Sequence, residues 1–457
     1  MLRLGGGQVE CLWDEVLPGE VQELPKDVLA LDRLLRDSRL LQPIASHWRV
    51  EAISHGRPTI SMETYVRLMV VKQRTGWGYE TLVREVSDSL HLRRFCLIAL
   101  GERVPHESTI RKLTRRLGSE VVDELTRCVI AKGQRETRFK PRAVRIDSTV
   151  VEADVRYPSD AALSLDGART LARQARRLTA LVGTDLGQVR DRSRALGRRL
   201  RAISRTVGRR TGERKAQVLA LTEQSGELLA RSVREARRLA LAARARARGR
   251  GAQRKLATIT RLEELADRAE RVAGQIRLRV AQEPITDRLV SMFDPDARPI
   301  RKGKLGKPNE FGYVLQICEV TQNTGRGARG FILPAATRPG NPPESKLIPQ
   351  TASELERLGL LPREIALDGG FERHPSAEAL APLAPERVFI AGRQQTGSRR
   401  TQRRLARYRT GAEGRISHLK RSYGLRRSRL KGQTGMKTWS GWSILAYNLD
   451  TLAIRAV

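Results

Sequence analysis

The chain is poor in cysteine and aromatic residues and lacks any long apolar run. Its four cysteines, Cys11, Cys96, Cys128 and Cys318, lie far apart and form no C-x-x-C pair. Neither a zinc site nor a disulfide framework is therefore predicted, and buried free thiols are expected. No apolar run reaches the roughly 18 residues that a membrane-spanning helix needs. The first residues, MLRLGGG, lack the apolar centre of a signal peptide, which predicts a cytoplasmic protein.

Acidic residues are outnumbered: 86 Lys and Arg stand against 50 Asp and Glu, a formal net charge of +36. A field of this size attracts polyanions, although it says nothing about the fold. Nucleic acid is the leading partner, because Arg and Lys that neutralise phosphates release condensed counterions. An anionic membrane surface is the alternative, but the basic segments lack the aromatic face expected of an interfacial anchor.

Residues 1 to about 135 show the apolar spacing of helices with clear boundaries. Ser61 is placed to cap a helix that ends at Gly76. The segment 105–117 predicts a short helix capped by Ser108, with one basic face made of Arg111, Lys112, Arg115 and Arg116. A basic helix after two others suits a helix-turn-helix, whose recognition helix enters the major groove. A helical bundle with a solvated basic face fits the same spacing equally well.

A second zone, residues 160 to about 285, contains no Pro, Phe, Trp or Tyr between Ala161 and Glu283. That stretch has 30 Arg and Lys against 12 Asp and Glu, half the net charge of the chain. Apolar residues recur at alternating steps of three and four, as expected of long helices packed as a coiled coil or hairpin. Gly249 and Gly251 predict a turn between two such helices. Solvated charged helices are the alternative, but the Arg excess favours a surface for DNA backbone or a partner subunit.

Strand patterns flank this helical zone. The segment AVRIDSTVVEA at 143–153 precedes it, and four further strands are predicted after it, at 311–320, 330–333, 364–367 and 387–390. Residues 353–358 and 376–380 are predicted to be helical. The chain is thus predicted to have an all-α domain at 1–135 and an α/β domain at 136–457. The latter is interrupted by a basic helical insertion at 160–285.

Two aspartates stand at informative places in these strands. Asp147 lies within a β-branched strand, and Asp368 directly follows another, before two glycines. The carboxyl ends of strands are where α/β sheets gather their ligands. A strand-end Asp is often only a turn residue, so each alone is weak evidence.

A third element has more specific spacing. Arg409, Glu413 and Lys420 form R-x-x-x-E-x-x-x-x-x-x-K, which places all of them on one face of a helix. Such a stripe can be an ordinary surface ion pair. It can also combine a metal-binding carboxylate with cations that hold phosphate oxygens.

These residues together resemble the DDE transposases of bacterial insertion sequences. Asp147 in IDST is similar to the first Asp of that family, Asp368 in LDGGF to the second, and Glu413 to the signature Glu of Y-x-x-R-x-x-x-E-x-x-x-x-x-x-K. The N-terminal segments GRPTISMETYVRLMVVKQ, GWGYETLVREV and EST resemble the family's helical DNA-binding region, and LAYNL at 445–449 its last helix. The likeness covers most of the chain and leaves the Arg-rich zone as an insertion.

The resemblance implies an α/β fold with an RNase H-like mixed sheet, and a nucleoid-associated bacterial enzyme that cleaves and joins DNA. Its site would be a two-metal centre of Asp147, Asp368 and Glu413 that binds Mg²⁺, or Mn²⁺, because hard ions prefer oxygen ligands. Arg409 and Lys420 would hold a phosphate of the element's end. The partners would be double-stranded DNA, as end and as target, and a second copy of the chain in an end-paired homodimer. A non-catalytic DNA-binding protein is the alternative function.

Two departures from the family pattern bear on the structure. The signature Tyr falls on Ala406, with Tyr408 nearby, and Gly411 and Gly414 flank Glu413. Because each glycine weakens a helix by roughly 1 kcal/mol, a late start or a bend is predicted there. Other carboxylates compete less well: Asp294 and Asp296 border a proline and suit a turn, and Glu152 falls on the opposite face of the strand from Asp147.

Overall fold

The computed structural model describes residues 1–6, 15–48, 58–206, 211–301, 309–393 and 397–456. The chain divides into two compact units, which are treated separately below. The first unit comprises Met1–Asp154 and Gly312–Val457, and the second comprises Val155–Phe311. Cys96 and Cys318 are buried and Cys128 is half-buried, all with free thiols, as predicted. Cys11 lies outside the described residues.

The first unit begins with helices, described in chain order as α1 (Gly19–Gln22), α2 (Lys26–Leu35), α3 (Gln42–Ser46), α4 (Met62–Thr75), α5 (Tyr79–Asp88), α6 (Leu90–Phe95) and α7 (Glu107–Glu136). A 3₁₀ turn at Ser38–Leu41 precedes α3. The predicted boundaries of α4 are confirmed. The Ser61 side chain accepts a hydrogen bond from the Thr64 N–H, and Gly76 ends the helix with a φ of 71°.

The basic helix of 105–117 is the first half of α7, and its predicted cap was wrong. His106, not Ser108, is the N-cap, and its ring accepts a hydrogen bond from the Ser108 N–H. Ser108 is instead within the first turn. Gly118 has non-helical backbone angles, with a φ of 69° and a ψ of −165°, so it separates the basic half from the second half.

The first unit contains a mixed sheet, and the predicted α/β class is confirmed. Its strands are β1 (Ala143–Ala153), β3 (Asn309–Thr321), β4 (Phe331–Ile332), β5 (Glu364–Leu367), β6 (Arg387–Ile390) and β7 (Arg427–Ser428), with β2 (Arg298–Arg301) in the second unit. The order β3–β1–β5–β6 places β1 centrally. β1 runs antiparallel to β3 and parallel to β5, and β6 runs parallel to β5. β4 pairs with β3, and β7 pairs with β1.

The C-terminal half of the first unit adds four helices, α12 (Ile348–Arg357), α13 (Arg373–Leu380), α14 (Arg399–Ser422) and α15 (Gly432–Ala456). Short 3₁₀ turns lie at Glu344–Leu347 and Ala381–Leu383. α15 packs against α7, α2 and α4 and against β4. The N-terminal helices, the sheet and α15 share one hydrophobic core, with Ile44, Leu82, Val121, Ile146 and Trp442 among its members. This packing holds the helical segment and the sheet together within one unit.

The second unit is mainly helical, with α8 (Asp160–Val182), α9 (Ser193–Thr206), α10 (Gly212–Arg244) and α11 (Ala252–Val280). The predicted helical periodicity is confirmed, because the residues of one apolar series, Leu262, Leu265, Ala269, Val272 and Ile276, are all buried. Gly249 and Gly251 lie between α10 and α11 with φ values of 68° and 79°, which confirms the predicted turn. The core is built mainly from Leu, Ala, Val and Ile side chains of α8, α10 and α11.

One buried cation in the first unit, the Lys72 ammonium, lowers the free energy of unfolding. The Lys72 side chain on α4 is 1% exposed, and its Nζ has no hydrogen-bond partner among the described residues. The ammonium lies 4.1 Å from the Trp439 ring centroid and 4.8 Å from that of Tyr79. Burial, helped by the charge of Arg429, lowers the pKa of Lys72 to about 7. Cation–π contact with the two rings offsets only part of the free-energy cost of desolvating the ammonium.

Replacing this cation by an apolar side chain of similar length should stabilise the protein at neutral pH. Because the folded pKa of Lys72 lies below the unfolded value, the unfolded chain binds more protons between pH 7 and 10.5, and stability rises with pH in that window. We expect Lys72→Met to raise the free energy of unfolding by about 2–4 kcal/mol at pH 7, with the advantage shrinking towards pH 10. Denaturation at both pH values tests this, and an advantage independent of pH would contradict it.

Candidate active site

Asp147 occupies the central strand of the sheet. Its Cα partner on β3 is Ile317, and the residue is 8% exposed. One carboxylate oxygen accepts a hydrogen bond from the Ser148 N–H at 2.7 Å. A carboxylate held this way on a β-branched strand has a fixed position.

Asp368 lies beside Asp147 because of the strand register. β1 and β5 are parallel, and their last paired residues are Ile146 and Leu367. Asp147 is the next residue of β1, and Asp368 directly follows the last residue of β5. Paired strands run about 5 Å apart. The two aspartates predicted from separate strand patterns are thus neighbours.

Glu413 is joined to Asp368 through Arg409. One guanidinium nitrogen of Arg409 donates to Asp368 Oδ1 at 2.8 Å, and the other donates to Glu413 Oε1 at 2.9 Å. The Arg409 side chain is 14% exposed, whereas those of Asp368 and Glu413 are 43% and 62% exposed. Arg409 therefore forms a cationic bridge between two of the three predicted carboxylates. Lys420 lies farther along α14, about 10 Å from Glu413 along the axis.

The helix that carries Glu413 is unbroken, so the predicted late start or bend was wrong. α14 runs from Arg399 to Ser422 through both flanking glycines. Gly411 has a packing reason: a Cβ built on it would lie 1.8 Å from Nη1 of Arg145, a β1 residue. The absence of a side chain at Gly411 allows α14 to approach β1 closely. A Cβ on Gly414 would meet nothing within 4 Å.

Arg145 belongs to a buried ionic network that sequence reasoning missed. Its Nε donates to Glu319 Oε2 at 2.8 Å, and Arg415 Nε of α14 donates to Glu319 Oε1 at 2.9 Å. Glu319 is 1% exposed, and Tyr447 of α15 donates to it at 3.4 Å. Burial and the Glu319 charge raise the pKa of Tyr447 to about 12. This network links β1, β3, α14 and α15 around one carboxylate.

Further contacts fix the amino-terminal half of α14 on the sheet. The Tyr408 hydroxyl is 2.6 Å from Thr321 Oγ1, and its ring is buried beneath the Arg145 guanidinium. Arg404 makes two hydrogen bonds to Glu364 at the start of β5, at 2.5 and 2.7 Å. These bonds from Arg404 hold the pKa of Glu364 below its usual value. α14 therefore follows β5 from Glu364 to Asp368. The signature Tyr position holds Ala406, and the buried tyrosine is Tyr408 instead.

The basic residues predicted to contact DNA lie on the first half of α7. Lys112 and Arg115 are exposed. Arg116 stacks its guanidinium 3.6 Å from the Trp48 ring centroid. Arg111 pairs with Glu107, and its guanidinium lies 5.6 Å from the Tyr79 ring centroid. Arg111 and Arg116 thus have contacts within the protein, and DNA contact by all four residues stays a prediction.

The competing carboxylates are Glu152, Asp294 and Asp296. Glu152 on β1 pairs with Arg427 at 3.0 Å, in keeping with its exclusion. Asp294 and Asp296 belong to the second unit. Among the described residues there is no group of three or more His, Cys, Asp or Glu arranged closely enough to hold a metal ion. The carboxylates nevertheless suit a divalent cation in their chemistry, and a cation, the Arg409 guanidinium, already lies between two of them.

Two family models match the chain. One is described as "Transposase domain (DUF772)" and matches residues 20–116. The other is described as "Transposase DDE domain" and matches residues 298–449, a range that contains Asp368, Arg409, Glu413 and Lys420 but not Asp147. Together the matched ranges span more than half of the chain. No curated protein and no solved structure matches it. Among the described residues, no helix is both long and apolar enough to cross a membrane.

Proposed function

Because the chain belongs to the DDE transposases of insertion sequences, we propose that it binds the terminal inverted repeats of such an element and catalyses metal-dependent strand cleavage and strand transfer. The observation that carries this proposal is that strand register and the Arg409 bridge link three carboxylates from distant segments. Strand register sets Asp147 beside Asp368, and Arg409 connects Asp368 to Glu413. A non-catalytic DNA-binding protein would have no use for these linked carboxylates.

The catalytic unit is proposed to be RNase H-like. In support, the sheet has an antiparallel strand, β3, beside three parallel strands, β1, β5 and β6, and Asp147 and Asp368 directly follow the last residue pair of β1 and β5. Residues 136–457, interrupted at 160–285, are proposed to form the catalytic domain. Residues 1–135 are proposed to form a DNA-binding domain, with double-stranded DNA as ligand and a homodimer as the end-paired form.

Asp147, Asp368 and Glu413 are the residues that would hold divalent ions, Mg²⁺ or Mn²⁺. When bound, such ions supply charge stabilisation at the phosphate and activate an oxygen nucleophile for in-line displacement. The protein's own residues orient the reaction. Asp147 is fixed by the Ser148 N–H, and α14 brings Glu413 to the sheet. Lys420, and Arg409 once displaced from the carboxylates, are proposed to hold a phosphate of the element's end. The same active site would serve both steps. Water would attack the phosphorus at the element's end and release a 3′-hydroxyl, and that 3′-hydroxyl would then attack a phosphorus of the target strand and displace the target's own 3′-hydroxyl.

The proposed function is tested with duplexes that carry the terminal repeats flanking the gene. Full-length protein should generate 3′-hydroxyl ends at the repeat boundary in Mg²⁺ or Mn²⁺, and should join them to a second duplex. In EDTA the protein should bind the repeats without cutting them. Specific binding with no cleavage in either metal would instead indicate the non-catalytic DNA-binding protein.

The Arg409 bridge predicts competition between the guanidinium and a divalent ion. Arg409→Gln should tighten Mn²⁺ binding to the DNA-free protein by about fivefold to thirtyfold, because two partly exposed ion pairs worth roughly 0.5–1 kcal/mol each no longer oppose it. Titration calorimetry measures the affinity directly. Arg404→Gln, which removes a guanidinium paired with Glu364 instead, is the matched control and should leave Mn²⁺ affinity unchanged. Equal affinities of wild type and Arg409→Gln would contradict the competition.

A further inference from the structure

A basic groove lies along the amino-terminal half of α14, within the first unit. Its cavity volume is about 1010 Å³. One wall is α14, and the other is the loop 323–327, with Arg145, Tyr408 and Gly411 at its inner end. The lining contains six arginines, Arg145, Arg326, Arg400, Arg403, Arg404 and Arg407, and no acidic residue.

The arginines of this basic groove fall into two groups. Arg145 and Arg404 are neutralised within the protein, by Glu319 and Glu364. The other four, Arg326, Arg400, Arg403 and Arg407, are exposed. None of these four side chains pairs with any residue that the structure describes. A cluster of like charges without internal partners repels itself and is relieved by an anion.

The spacing of these residues suits an extended polyanion. Arg400, Arg403 and Arg407 are separated by three and four residues, so they form a stripe on one face of α14. The facing loop is short and glycine-rich, with Gly325 and Gly327 among the lining residues. Because glycine has no side chain, these positions leave the groove open beside Arg326. A row of guanidinium groups facing an open wall matches successive phosphates better than a single small anion.

The groove and the carboxylates share one helix. Arg407 precedes Glu413 by six residues and Arg400 by thirteen, so the stripe lies about 9–20 Å from Glu413 along the axis. Phosphates of one DNA strand are spaced about 3.4 Å along a duplex. A strand whose phosphate lay at the carboxylates would therefore have phosphates about three to six nucleotides away beside the stripe.

We propose that the basic groove binds the phosphodiester backbone of the DNA duplex that enters the active site, three to six nucleotides from the reacting phosphate. The contact is independent of base sequence, because guanidinium groups that grip phosphates position a duplex without reading it. This inference rests on the proposed function, since it takes DNA as the substrate. It adds a site distinct from the residues on α7 and from Arg409 and Lys420.

The test compares two triple variants of the full chain. One is Arg400→Ala with Arg403→Ala and Arg407→Ala. The matched control removes three exposed cations of the same unit that have no partner among the described residues, through Lys140→Ala, Arg338→Ala and Lys346→Ala. Both lose the same charge. The thermal midpoint of the control should equal that of the wild type and that of the groove variant should be no lower, because no described ion pair is broken and the repulsion within the groove is reduced.

Binding to end duplexes is measured as a function of salt by fluorescence anisotropy. The groove variant should lower the slope of log affinity against log salt by about 2–3, since each phosphate contact contributes about 0.9. The control should change the slope by less than about one. The loss should vanish on a duplex truncated two nucleotides from the cleavage point, and an unrelated sequence should show the same loss on the long duplex. Replacing the same three arginines by lysine should restore most of the slope.

The outcomes separate the two proposals. If the wild type neither binds nor cleaves end DNA, the proposed function fails. If the wild type does both but the groove variant and the control have equal slopes, the groove assignment is overturned and the transposase proposal stands. A loss that persists on the truncated duplex also overturns the assignment, because the contact would then lie elsewhere. If inorganic phosphate raises the thermal midpoints of the groove variant and the wild type by the same amount, the basic groove holds no anion site.

Discussion

Asp147→Asn should lower metal-dependent cleavage of end DNA by about 10³-fold, while end binding stays within about twofold. The substitution removes the negative charge and preserves the shape. The amide oxygen can still accept the hydrogen bond from the Ser148 N–H, so the strand should remain in place. Cleavage rates under single-turnover conditions, measured with saturating protein, separate this loss of chemistry from a loss of binding.

Glu152→Gln is the matched control for this loss. It changes a carboxylate to an amide on the same strand, but Glu152 pairs with Arg427 instead of contributing to the carboxylate site. An exposed ion pair of this kind is worth at most about 1 kcal/mol, so cleavage should be close to that of the wild type. Cleavage by Asp147→Asn at the wild-type rate would remove Asp147 from the catalytic set. Equal losses in both variants would point to a general effect on β1.

The strands of the site could be predicted because their residues obey local rules. β-branched and apolar runs bounded by turn residues predicted β1, β5 and β6 with their observed bounds. The position of each of the two aspartates relative to its strand was therefore predicted correctly. Their adjacency depends on β1 and β5 being parallel neighbours with Ile146 opposite Leu367. No local pattern encodes a register between residues more than 200 positions apart.

The buried ionic network could not be predicted for a different reason. Arg145 alternates with apolar residues on β1, and Glu319 does so on β3, which is the usual pattern of a solvent-facing strand surface. In the structure both are buried and paired with each other, with α14 covering that face. The signal that could have indicated this burial was the glycine pair in α14. Helix propensity treated Gly411 and Gly414 as equal weak points, whereas packing distinguishes them.

The cap of α7 shows the same limit on a smaller scale. Ser108 and His106 are both able to accept a hydrogen bond from a free backbone N–H. Ser is the commoner N-cap residue, which favoured Ser108. The helix begins earlier, so the His106 ring accepts the bond from the Ser108 N–H and Ser108 lies inside the first turn. Which residue caps α7 depends on where the preceding loop ends, and local propensity does not determine that position.

Gly411→Ala and Gly414→Ala should have opposite effects on stability, although they flank Glu413 on one helix. A methyl group at Gly411 would meet the Arg145 guanidinium, which Glu319 holds in place. Either α14 must retreat from β1 or the buried ion pair must break, and we expect a loss of about 2–4 kcal/mol in the free energy of unfolding. At Gly414 nothing lies near the new methyl group, so helix propensity should add about 0.5–1 kcal/mol.

The consequence for function follows from the same close approach. If α14 retreats in Gly411→Ala, Glu413 leaves the other carboxylates, and cleavage should fall by about 10²-fold at temperatures where the protein stays folded. Gly414→Ala should cleave as the wild type does. Adding Arg145→Ala to Gly411→Ala tests the cause: the methyl group should then cost less stability than it does beside Arg145, a coupling of about 1–3 kcal/mol in a double-mutant cycle. Additive costs would mean that Gly411 is required for some reason other than its contact with Arg145.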